Sequence, residues 1–403
     1  MTSYIIGTAY FLLTLEILMI IASFLYARRE RKTERPNYTP KAVIIAPHYG
    51  WDTQTEKNVK CILNQDYAGN YEVFFVTHAK GESEHDVSYA HLLDIAEAHP
   101  RARALLAPNI VDNSLPRSQK VQNLITAIAT LSDDVEVIAF VDADVTIQKD
   151  WLTLLVEPLQ DKNIGATVGA RFYFPHTPNA PSLVESIWVN LQISLQGDHP
   201  LTMVWGGSNA IRREFLKEGN ILQRWQNAAI EDLNLTHAVR DCKLKVHFVP
   251  DCIAITHVEN RTWKQIFEFT NRQLIMTFRM ELLAQWALCL IICVPKALIL
   301  FGALPFMIFH FHQLYPLLFI PFIEIQSYRL SSLNLPRWLR EQPQMRENIR
   351  MTSFVTPISQ SLAGLNTLYA LFQKQIVWGG VRYEILSATK CRVLGRVTDE
   401  QEE

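Results

Sequence analysis

The chain has 403 residues and a formal net charge of −2, with 38 basic and 40 acidic side chains. No extended basic stretch is interleaved with aromatic residues, so we expect no nucleic-acid partner. The six cysteines have neither the paired spacing of zinc ligands nor the density of a secreted disulfide scaffold, and they predict no structural metal site.

A membrane anchor is the first predicted element. Residues 4–26 form an almost continuous apolar run that is long enough to cross a bilayer. No small-residue cleavage site follows, which indicates a retained anchor and not a removed signal peptide. Basic residues come directly after the run: Arg28, Arg29, Arg31, Lys32 and Arg35. The positive-inside rule then places the N-terminus outside and the following residues in the cytosol, with residues 1–35 as anchor and basic flank.

Residues 36–280 alternate short apolar runs with longer helical stretches. We predict strands over 42–46, 71–77, 135–141 and 167–174, and helices over 56–63, 88–99, 118–131 and 152–159. Strands that alternate with helices are typical of an α/β domain with a mostly parallel sheet. Ligands of such sheets bind at the carboxyl ends of the strands.

Two carboxylates, Asp142 and Asp144, follow the strand predicted over 135–141. That strand is an unbroken apolar run, as in strands buried on both faces of a parallel sheet. Carboxylates at its end are costly to desolvate without a counter-charge. A Mg²⁺ or Mn²⁺ ion that carries a diphosphate would supply that charge. The sequence leaves a second interpretation open, in which Asp144 or Thr146 caps the helix that begins near Lys149.

Two further motifs lie downstream of the aspartates. Trp205-Gly206-Gly207-Ser208 offers glycines that allow close backbone approach to a ligand, and a hydroxyl that could donate a hydrogen bond. Glu231-Asp232 opens a helix predicted over 233–240, where acidic side chains suit the helix dipole. In an α/β domain with a metal-type aspartate pair, such a carboxylate can instead act as general base on an acceptor hydroxyl. Both interpretations stay open at this point.

The C-terminal part, residues 281–403, is predicted to be a membrane block. Apolar spans are predicted over 282–304, 305–325 and 354–372. The third is the weakest, and an interfacial or re-entrant helix is its alternative. Residues 328–350 are basic and amphipathic, which is typical of a segment that meets anionic headgroups on the cytosolic side.

Several short motifs in a fixed order resemble those of a known enzyme family. They are Ile45-Ala46-Pro47, Asn64-Gln65-Asp66-Tyr67, Lys120-Val121-Gln122-Asn123-Leu124, Asp142-Ala143-Asp144, Gly206-Gly207-Ser208, Glu231-Asp232, and Trp378-Gly379-Gly380 with Tyr383. With apolar segments on both sides, the chain resembles the family-two inverting glycosyltransferases of GT-A fold, whose nucleotide-sugar domain is Rossmann-like. Within that group it is most similar to the ceramide glucosyltransferases and their bacterial relatives. The resemblance covers nearly the whole chain.

This resemblance implies a role for each acidic residue. Asp144 is the expected principal ligand of Mn²⁺ or Mg²⁺, and Asp142 is expected to contact the nucleotide sugar or its metal. Asp232 is the expected catalytic base, with Glu231 beside it in the sugar pocket. Lys120 is expected either near the nucleotide phosphates or in solvent at a helix start.

Further residues are implied as ligands of the donor, the metal or the acceptor. Nucleotide-sugar binding is expected of Pro47, Lys120, Asn123, Asp142, Gly207, Ser208, Arg272 and Gln273. Contact with the acceptor or the membrane is expected of His199, Trp205 and Trp378. His199, in a His-Pro pair that ceramide glucosyltransferases share, is either a metal ligand or a histidine at the membrane surface. His257 is a further candidate metal ligand.

The chain departs from the family pattern at two places. Many relatives carry an aspartate after the second strand that binds uracil, whereas this stretch offers Glu82 or Asp86 as a substitute. Relatives also carry a QxxRW motif ahead of the membrane block. Here Gln273 is present without the Arg-Trp pair, and Arg272 or Arg279 is left as the cation for the diphosphate. In processive polysaccharide synthases that tryptophan forms part of the acceptor site, so its absence favours a single transfer.

Together these features predict a multi-pass membrane enzyme with a cytosolic catalytic domain, in a bacterial inner membrane or a Golgi or endoplasmic reticulum membrane. The expected reaction is metal-dependent, inverting transfer of a hexose, with glucose favoured, from a UDP-sugar to the hydroxyl of a bilayer lipid such as ceramide. Diacylglycerol, hopanoid or polyprenyl phosphate acceptors, a polysaccharide synthase and a non-catalytic binding scaffold stay open. The apolar segment 183–205 either rests on the bilayer surface or belongs to the protein core.

Overall fold

The chain forms two compact units, each assembled from three separate stretches. The computed structural model describes residues 2–31, 37–79, 86–303 and 319–397. The sheet unit comprises residues 34–171, 202–256 and 374–403. The helical unit comprises residues 1–33, 172–201 and 257–373. The predicted division at residues 35 and 280 into anchor, cytosolic domain and membrane block stays a prediction.

A seven-stranded mixed sheet organises the sheet unit. Its strands are β1 (Ala42–Pro47), β2 (Tyr71–His78), β3 (Ala102–Ala107), β4 (Val137–Val141), β5 (Ile164–Val168), β7 (Ser208–Arg212) and β8 (Lys245–Phe248). They lie in the order β3-β2-β1-β4-β7-β5-β8. β7 is antiparallel to both of its neighbours, and the remaining neighbouring pairs are parallel. The predicted α/β fold with a mostly parallel sheet is confirmed.

Alternate residues of the central strands enter two hydrophobic cores, one on each face of the sheet. The helices of this unit are α2 (Thr53–Leu63), α3 (Ser88–Ala98), α4 (Gln119–Ile128), α5 (Trp151–Val156), α7 (Phe215–Glu218), α8 (Ile221–Trp225) and α9 (Asp232–Asp241). Ile44 and Ala139 pack with α2, α3 and α5. Ile45 and Phe140 pack with α4, α7, α8 and α9. Burial on both faces explains why β1 and β4 are unbroken apolar runs.

The strand predicted over 167–174 is in fact two strands. β5 belongs to the large sheet, whereas β6 (Arg171–Thr177) forms a two-stranded sheet with β9 (Ala254–Glu259). Gly169 lies between β5 and β6, and a Cβ atom there would come within 2.0 Å of the Cys252 carbonyl oxygen. The backbones therefore approach closely at Gly169, which only glycine permits.

The last part of the described chain forms a three-stranded antiparallel sheet in the sheet unit. Its strands are β10 (Gln375–Trp378), β11 (Val381–Ser387) and β12 (Lys390–Arg396), joined in sequence. Asn234 Nδ2, on α9, donates to the Ala388 carbonyl oxygen at 2.8 Å and ties this sheet to the sheet unit. The stretch falls within the predicted membrane block, for which no sheet was expected.

The helical unit is built from helices that pack through small and polar residues. They are α1 (Thr2–Glu30), α6 (Ala180–Asn190), α10 (Trp263–Arg279), α11 (Leu283–Leu298), α12 (Phe319–Ser331), α13 (Arg337–Arg340), α14 (Met345–Phe354) and α15 (Thr356–Ala370). α11 and α15 meet at Gly364, where a Cβ atom would lie 2.5 Å from the Cys293 carbonyl oxygen. A buried ion pair of 3.2 Å between Lys296 and Glu324 joins α11 to α12. Such contacts are typical of helices that pack in lipid.

One helix of the described chain, Leu283–Gly302, is long and apolar enough to cross a membrane. It coincides with the span predicted over 282–304. Most of the span predicted over 305–325 lies outside the described residues. The weaker span over 354–372 is divided at Val355, and the resulting α15 has 15 residues, fewer than the roughly 20 that a span needs. The anchor, whose residues form α1, and the multi-pass topology stay predictions.

The apolar segment 183–205 is predicted either to rest on the bilayer surface or to belong to the protein core. Its first part lies in α6, where Ile187, Trp188 and Val189 are buried. The Trp188 ring meets Phe269 of α10 edge-on, with ring centroids 6.1 Å apart. This part of the segment therefore belongs to the core of the helical unit and not to a bilayer surface.

Candidate active site

The carboxyl edge of β4 and the start of β7 meet at the predicted site. β7 is antiparallel to β4, with Val141 opposite Ser208, so the residues that precede β7 lie beside those that follow β4. The Asp142 amide accordingly donates to the Gly207 carbonyl oxygen at 3.4 Å. Asp142 and the two glycines Gly206 and Gly207 are thus brought together, as the strand-end argument predicts.

Lys120 holds this site together by pairing with two carboxylates from different elements. It lies in the first turn of α4, whose start is capped by the Ser118 hydroxyl. Its Nζ atom is 2.6 Å from Asp142 Oδ1 and 2.5 Å from Glu231 Oε1, and its side chain is 17% exposed. The lysine is therefore an internal counter-charge, and the interpretation as a solvated lysine is wrong.

Mutual attraction fixes the charge states of Lys120 and Asp142. Burial alone would lower the pKa of Lys120, but Asp142 and Glu231 raise it above its ordinary value. Burial alone would raise the pKa of Asp142, but Lys120 and Arg171 hold it below its ordinary value. Both side chains are consequently charged at neutral pH.

Asp232 is a partly buried carboxylate at the start of α9. Its Oδ2 atom accepts from the Gly206 amide at 2.8 Å, and its Oδ1 atom accepts from the Leu233 amide at 2.6 Å. Burial and the neighbouring Glu231 carboxylate raise the pKa of Asp232 to about 7. A carboxylate with that pKa can take up a proton at physiological pH and release it again, as a general base must.

Glu231 lies next to Asp232 and is almost fully buried. One of its oxygens pairs with Lys120, while the other, Oε2, is buried and makes no hydrogen bond to the protein. A buried carboxylate oxygen without a partner is costly unless a ligand supplies a donor. The hydroxyl of a bound sugar is a donor of the required kind.

Gly206 and Gly207 are both points of close approach in the site. A Cβ atom at Gly206 would lie 2.2 Å from Glu231 Oε1 and 2.8 Å from Lys120 Nζ. At Gly207 a Cβ atom would meet the Trp205 ring at 2.1 Å and Asp142 Oδ2 at 2.8 Å. The two glycines thus let the acidic groups and their lysine converge on one stretch of backbone.

Asp144 has a different environment from Asp142. Its side chain is 61% exposed and forms an ion pair with Arg171, at the start of β6. The Arg171 Nε atom also donates to Thr256 Oγ1 at 2.9 Å, and its guanidinium lies 5.3 Å from the centre of the Trp205 ring. Arg171 was not among the predicted site residues. Its signal in the sequence is a single charge inside an otherwise apolar strand.

The acidic pair fits a divalent ion that arrives with a diphosphate. Among the described residues, no group of three or more His, Cys, Asp or Glu side chains could hold a metal by itself. Mg²⁺ and Mn²⁺ nevertheless bind readily through one or two carboxylates when phosphate oxygens and water complete the coordination. Asp142 and Asp144 offer such carboxylate oxygens at the sheet edge, and Asp144 is open to solvent. The residues present therefore fit the ion.

Other predicted residues of the sheet unit have structural contacts. Asn123 Nδ2 donates to the Val76 carbonyl oxygen at 3.3 Å, and Pro47 ends β1. Ser208 is fully buried, and its hydroxyl donates to the Cys252 carbonyl oxygen at 2.9 Å. The hydroxyl proton is already committed there, so a contact between Ser208 and a nucleotide sugar stays a prediction. Trp378, at the end of β10, likewise keeps its acceptor role as a prediction.

Three predicted residues belong to the helical unit. His199 lies beyond α6, while Arg272 and Gln273 lie on α10, and the Arg272 guanidinium packs 5.5 Å from the centre of the Phe269 ring. Their contacts with donor, metal or acceptor stay predictions. His257, the other candidate metal ligand, shares a 2.7 Å hydrogen bond with exposed His176.

The substitute for the uracil aspartate, Glu82 or Asp86, stays a prediction. Glu82 lies outside the described residues. Asp86 is buried, and its Oδ1 atom accepts from the amides of Gly50 and Ser88 at 2.8 and 3.0 Å. Asp86 therefore stabilises the loop after β1.

A mostly parallel α/β sheet with an acidic cluster at its carboxyl edge is the arrangement of the GT-A type of glycosyltransferase. The sequence matches the profile of Glycosyl transferase family 21 over residues 5–391, and the chain belongs to this family. This family is ceramide glucosyltransferase-like, so the resemblance stated from the motifs is confirmed. The chain is a glycosyltransferase. No curated protein matches it significantly.

Two solved structures similar to this chain are also glycosyltransferases. The mannosyltransferase PcManGT from Pyrobaculum calidifontis, in complex with GDP-Man and Mn²⁺, is 17% identical with a TM-score of 0.44. The alignment covers 90% of this chain and 99% of that one. GalNAc-T7 with UDP, GalNAc and Mn²⁺ is 16% identical with a TM-score of 0.38. That alignment covers 56% of this chain and 45% of GalNAc-T7.

Proposed function

We propose that the chain transfers a hexose, with glucose favoured, from a UDP-sugar to the hydroxyl of a membrane lipid such as ceramide, with inversion and with Mn²⁺ or Mg²⁺. Asp232 takes the proton of the acceptor hydroxyl, and the oxygen attacks the anomeric carbon from the side opposite UDP. A new carbon–oxygen bond forms as the bond to the diphosphate breaks, and the electron pair of that bond leaves with UDP. One sugar is transferred in each reaction.

The Asp232 carboxylate carries this proposal. Two backbone amides, those of Gly206 and Leu233, fix its orientation, and its pKa of about 7 suits a general base. Glu231 beside it has a buried oxygen without a protein partner, as expected of a group that accepts from a sugar hydroxyl. Proton removal and sugar binding are thereby assigned to neighbouring residues.

The part of the site that contains Asp142 and Asp144 is assigned to the donor diphosphate. Asp142 and Asp144 would hold the divalent ion, which when bound neutralises charge on the diphosphate as UDP leaves. Lys120 holds the Asp142 carboxylate in place and keeps it ionised. The Arg171 guanidinium pairs with Asp144 in the protein alone, so this aspartate has a cation partner before the donor arrives.

A lipid acceptor is supported by the composition of the helical unit. Leu283–Gly302 is long and apolar enough to cross a bilayer. α1 carries large apolar side chains that are exposed, among them Phe11, Leu18 and Leu25 at 60%, 58% and 61%. Exposed apolar surface on this scale is stable in lipid and unfavourable in water. We therefore place α1 and α11 in the membrane and the site in the sheet unit on its cytosolic side.

The deciding experiment measures transfer of radiolabelled hexose into lipid by the full chain in membranes. UDP-glucose and UDP-galactose are supplied separately with ceramide, each with Mn²⁺, with Mg²⁺ and with EDTA. We expect metal-dependent label in one discrete lipid, and mass spectrometry of that lipid identifies acceptor and sugar. NMR of the product reports the anomeric configuration, and a retained configuration would overturn the direct displacement.

Matched arms separate the alternatives. Diacylglycerol, a hopanoid and a polyprenyl phosphate replace ceramide in parallel reactions, and label in one of these would move the assignment to that acceptor. Products longer than one sugar would favour a polysaccharide synthase. Binding of UDP-sugar without transfer to any of these acceptors would favour the non-catalytic scaffold.

A further inference from the structure

A cavity of about 310 Å³ lies within the helical unit. It is lined by Phe24, Arg28, Arg31, Leu333 and Asn334. The first three come from the last two turns of α1 and the residue after it, and the others from the turn after α12. The lining therefore combines two cations, one amide and two large apolar side chains.

The side-chain amide of Asn334, one of the lining residues, is unsatisfied. Its side-chain oxygen and nitrogen are both buried, and neither makes a hydrogen bond to the protein. Unsatisfied polar atoms in such a position are costly unless a ligand pairs with them. The Arg31 guanidinium donates to the Asn334 backbone carbonyl at 2.5 Å, which fixes a positive charge against the same residue.

The positive charges of Arg28 and Arg31 indicate which class of ligand the cavity binds. Arg28 and Arg31 are both exposed arginines, and guanidinium groups bind the oxygens of a phosphate with two parallel hydrogen bonds. The Asn334 NH₂ group is a further donor to such oxygens. A phosphate with an apolar attachment fits the whole lining, because Phe24 and Leu333 are 41% and 54% exposed.

The position of the cavity along α1 indicates where that phosphate comes from. Large exposed apolar side chains run along α1 as far as Leu25, and arginines begin at Arg28. On a membrane helix this change marks the boundary between acyl chains and headgroups. The cavity contains residues from both sides of the change, Phe24 and Arg28, so it lies at the level of lipid phosphates.

We propose that this cavity binds the headgroup phosphate of an anionic phospholipid, with its acyl chains against Phe24 and Leu333. The inference rests on the membrane placement of α1 proposed above, and it does not depend on the transfer reaction. Ceramide carries no phosphate, so the ligand of this cavity differs from the proposed acceptor. The cavity is thus a second lipid-binding site of the enzyme, and it binds a different class of lipid from the proposed acceptor.

The test measures retained lipid by native mass spectrometry and requires no sugar transfer. The full chain is reconstituted in nanodiscs that contain equal amounts of phosphatidylglycerol and phosphatidylcholine, and is then released into detergent. We expect the wild-type protein to retain phosphatidylglycerol in preference to phosphatidylcholine. Arg28→Gln and Asn334→Leu should each weaken this retention about tenfold, which is the loss of one charged hydrogen bond.

The control is Arg29→Gln, which removes a neighbouring exposed arginine of α1 that does not line the cavity. It should retain phosphatidylglycerol as the wild type does. If Arg29→Gln loses as much phosphatidylglycerol as Arg28→Gln, the lipid is held by diffuse surface charge, and the proposed site is wrong. A wild-type protein that retains both lipids equally would also overturn the site. Arg28 is exposed, so its variant keeps the test decisive if Asn334→Leu misfolds.

Two further arms separate the sources of failure. Displacement of the lipid by millimolar inorganic phosphate would show a site for soluble phosphate and would overturn the lipid assignment. Extraction of the wild-type protein from membranes by alkaline carbonate would overturn the membrane placement of α1, and the lipid site with it. Loss of hexose transfer alone would leave the lipid result standing.

Discussion

The ammonium group of Lys120 lies 2.6 Å from the Asp142 carboxylate, and this contact joins α4 to the residues that follow β4. The same Nζ atom reaches Glu231, just ahead of α9. One buried lysine thus brings the donor side and the acceptor side of the proposed site to a common point. Its removal would leave neighbouring carboxylates to repel one another.

Lys120→Met is expected to destabilise the protein by about 3 kcal/mol, because breaking a buried ion pair leaves uncompensated charge. The apparent Tm should fall, and the fall should be smaller at pH 5 than at pH 8, because the stranded carboxylates can then take up protons. Thermal unfolding at both pH values checks this. Lys57→Met, at an exposed lysine of α2, is the control and should leave Tm unchanged. A fall independent of pH would contradict the electrostatic explanation.

Asp232→Asn is expected to lower hexose transfer by about three orders of magnitude, because the amide cannot accept the acceptor proton. Binding of the UDP-sugar, measured by calorimetry, should stay within about twofold, since the side-chain shape is kept. The variant should also be as stable as the wild type at pH 8 or more so, because it no longer buries a charge beside Glu231. Full activity in this variant would refute the base assignment.

The raised pKa of Asp232 predicts the pH profile of transfer. A base must be deprotonated to act, so the rate should rise with pH up to about 7 and level off above it. Burial favours the protonated form, so the same group should make the folded state less stable as the pH rises from about 4 to about 7. Steady-state rates from pH 5 to 9 test the first statement. A rate already level at pH 5 would contradict it.

Arg171→Ala is expected to strengthen Mn²⁺ binding about two- to fivefold, because it frees Asp144 from a partly exposed ion pair worth up to about 1 kcal/mol. Titration followed by electron paramagnetic resonance measures Mn²⁺ binding without any transfer reaction. Asp144→Asn should weaken the same binding. Unchanged affinity in Arg171→Ala would show that Arg171 and the metal do not compete for Asp144.

Gly206→Ala is expected to abolish transfer while the protein stays folded. The added Cβ atom would lie 2.2 Å from Glu231 Oε1 and 2.8 Å from Lys120 Nζ, so the ion pair must move. Activity and circular dichroism measure the two effects separately. Gly302→Ala is the control, because nothing lies within 4 Å of a Cβ atom at Gly302. Wild-type activity in Gly206→Ala would refute the requirement for close approach at this glycine.

The pattern of apolar residues along the sequence was sufficient to predict the first two strands of the sheet unit. The strands predicted over 42–46 and 71–77 match β1 and β2 within one residue, because unbroken apolar runs of that length have few alternatives. β7 gave no such signal, since Ser208, Asn209 and Arg212 are polar yet buried. Their partners come from distant parts of the chain; Arg212 Nη1, for example, donates to the Leu159 and Ile164 carbonyl oxygens. Periodicity cannot anticipate polar groups that tertiary contacts satisfy.

The sequence by itself determined which acidic residues stand at strand and helix ends, and it placed the chain in its family. Asp142 and Asp232 were assigned in this way, because the end of a strand or helix is set by local chemistry. Only the tertiary structure decided that Lys120 is buried between Asp142 and Glu231, and that Arg171 pairs with Asp144. The physical reason is that an ion pair depends on distance in space, whereas sequence patterns report only neighbours along the chain.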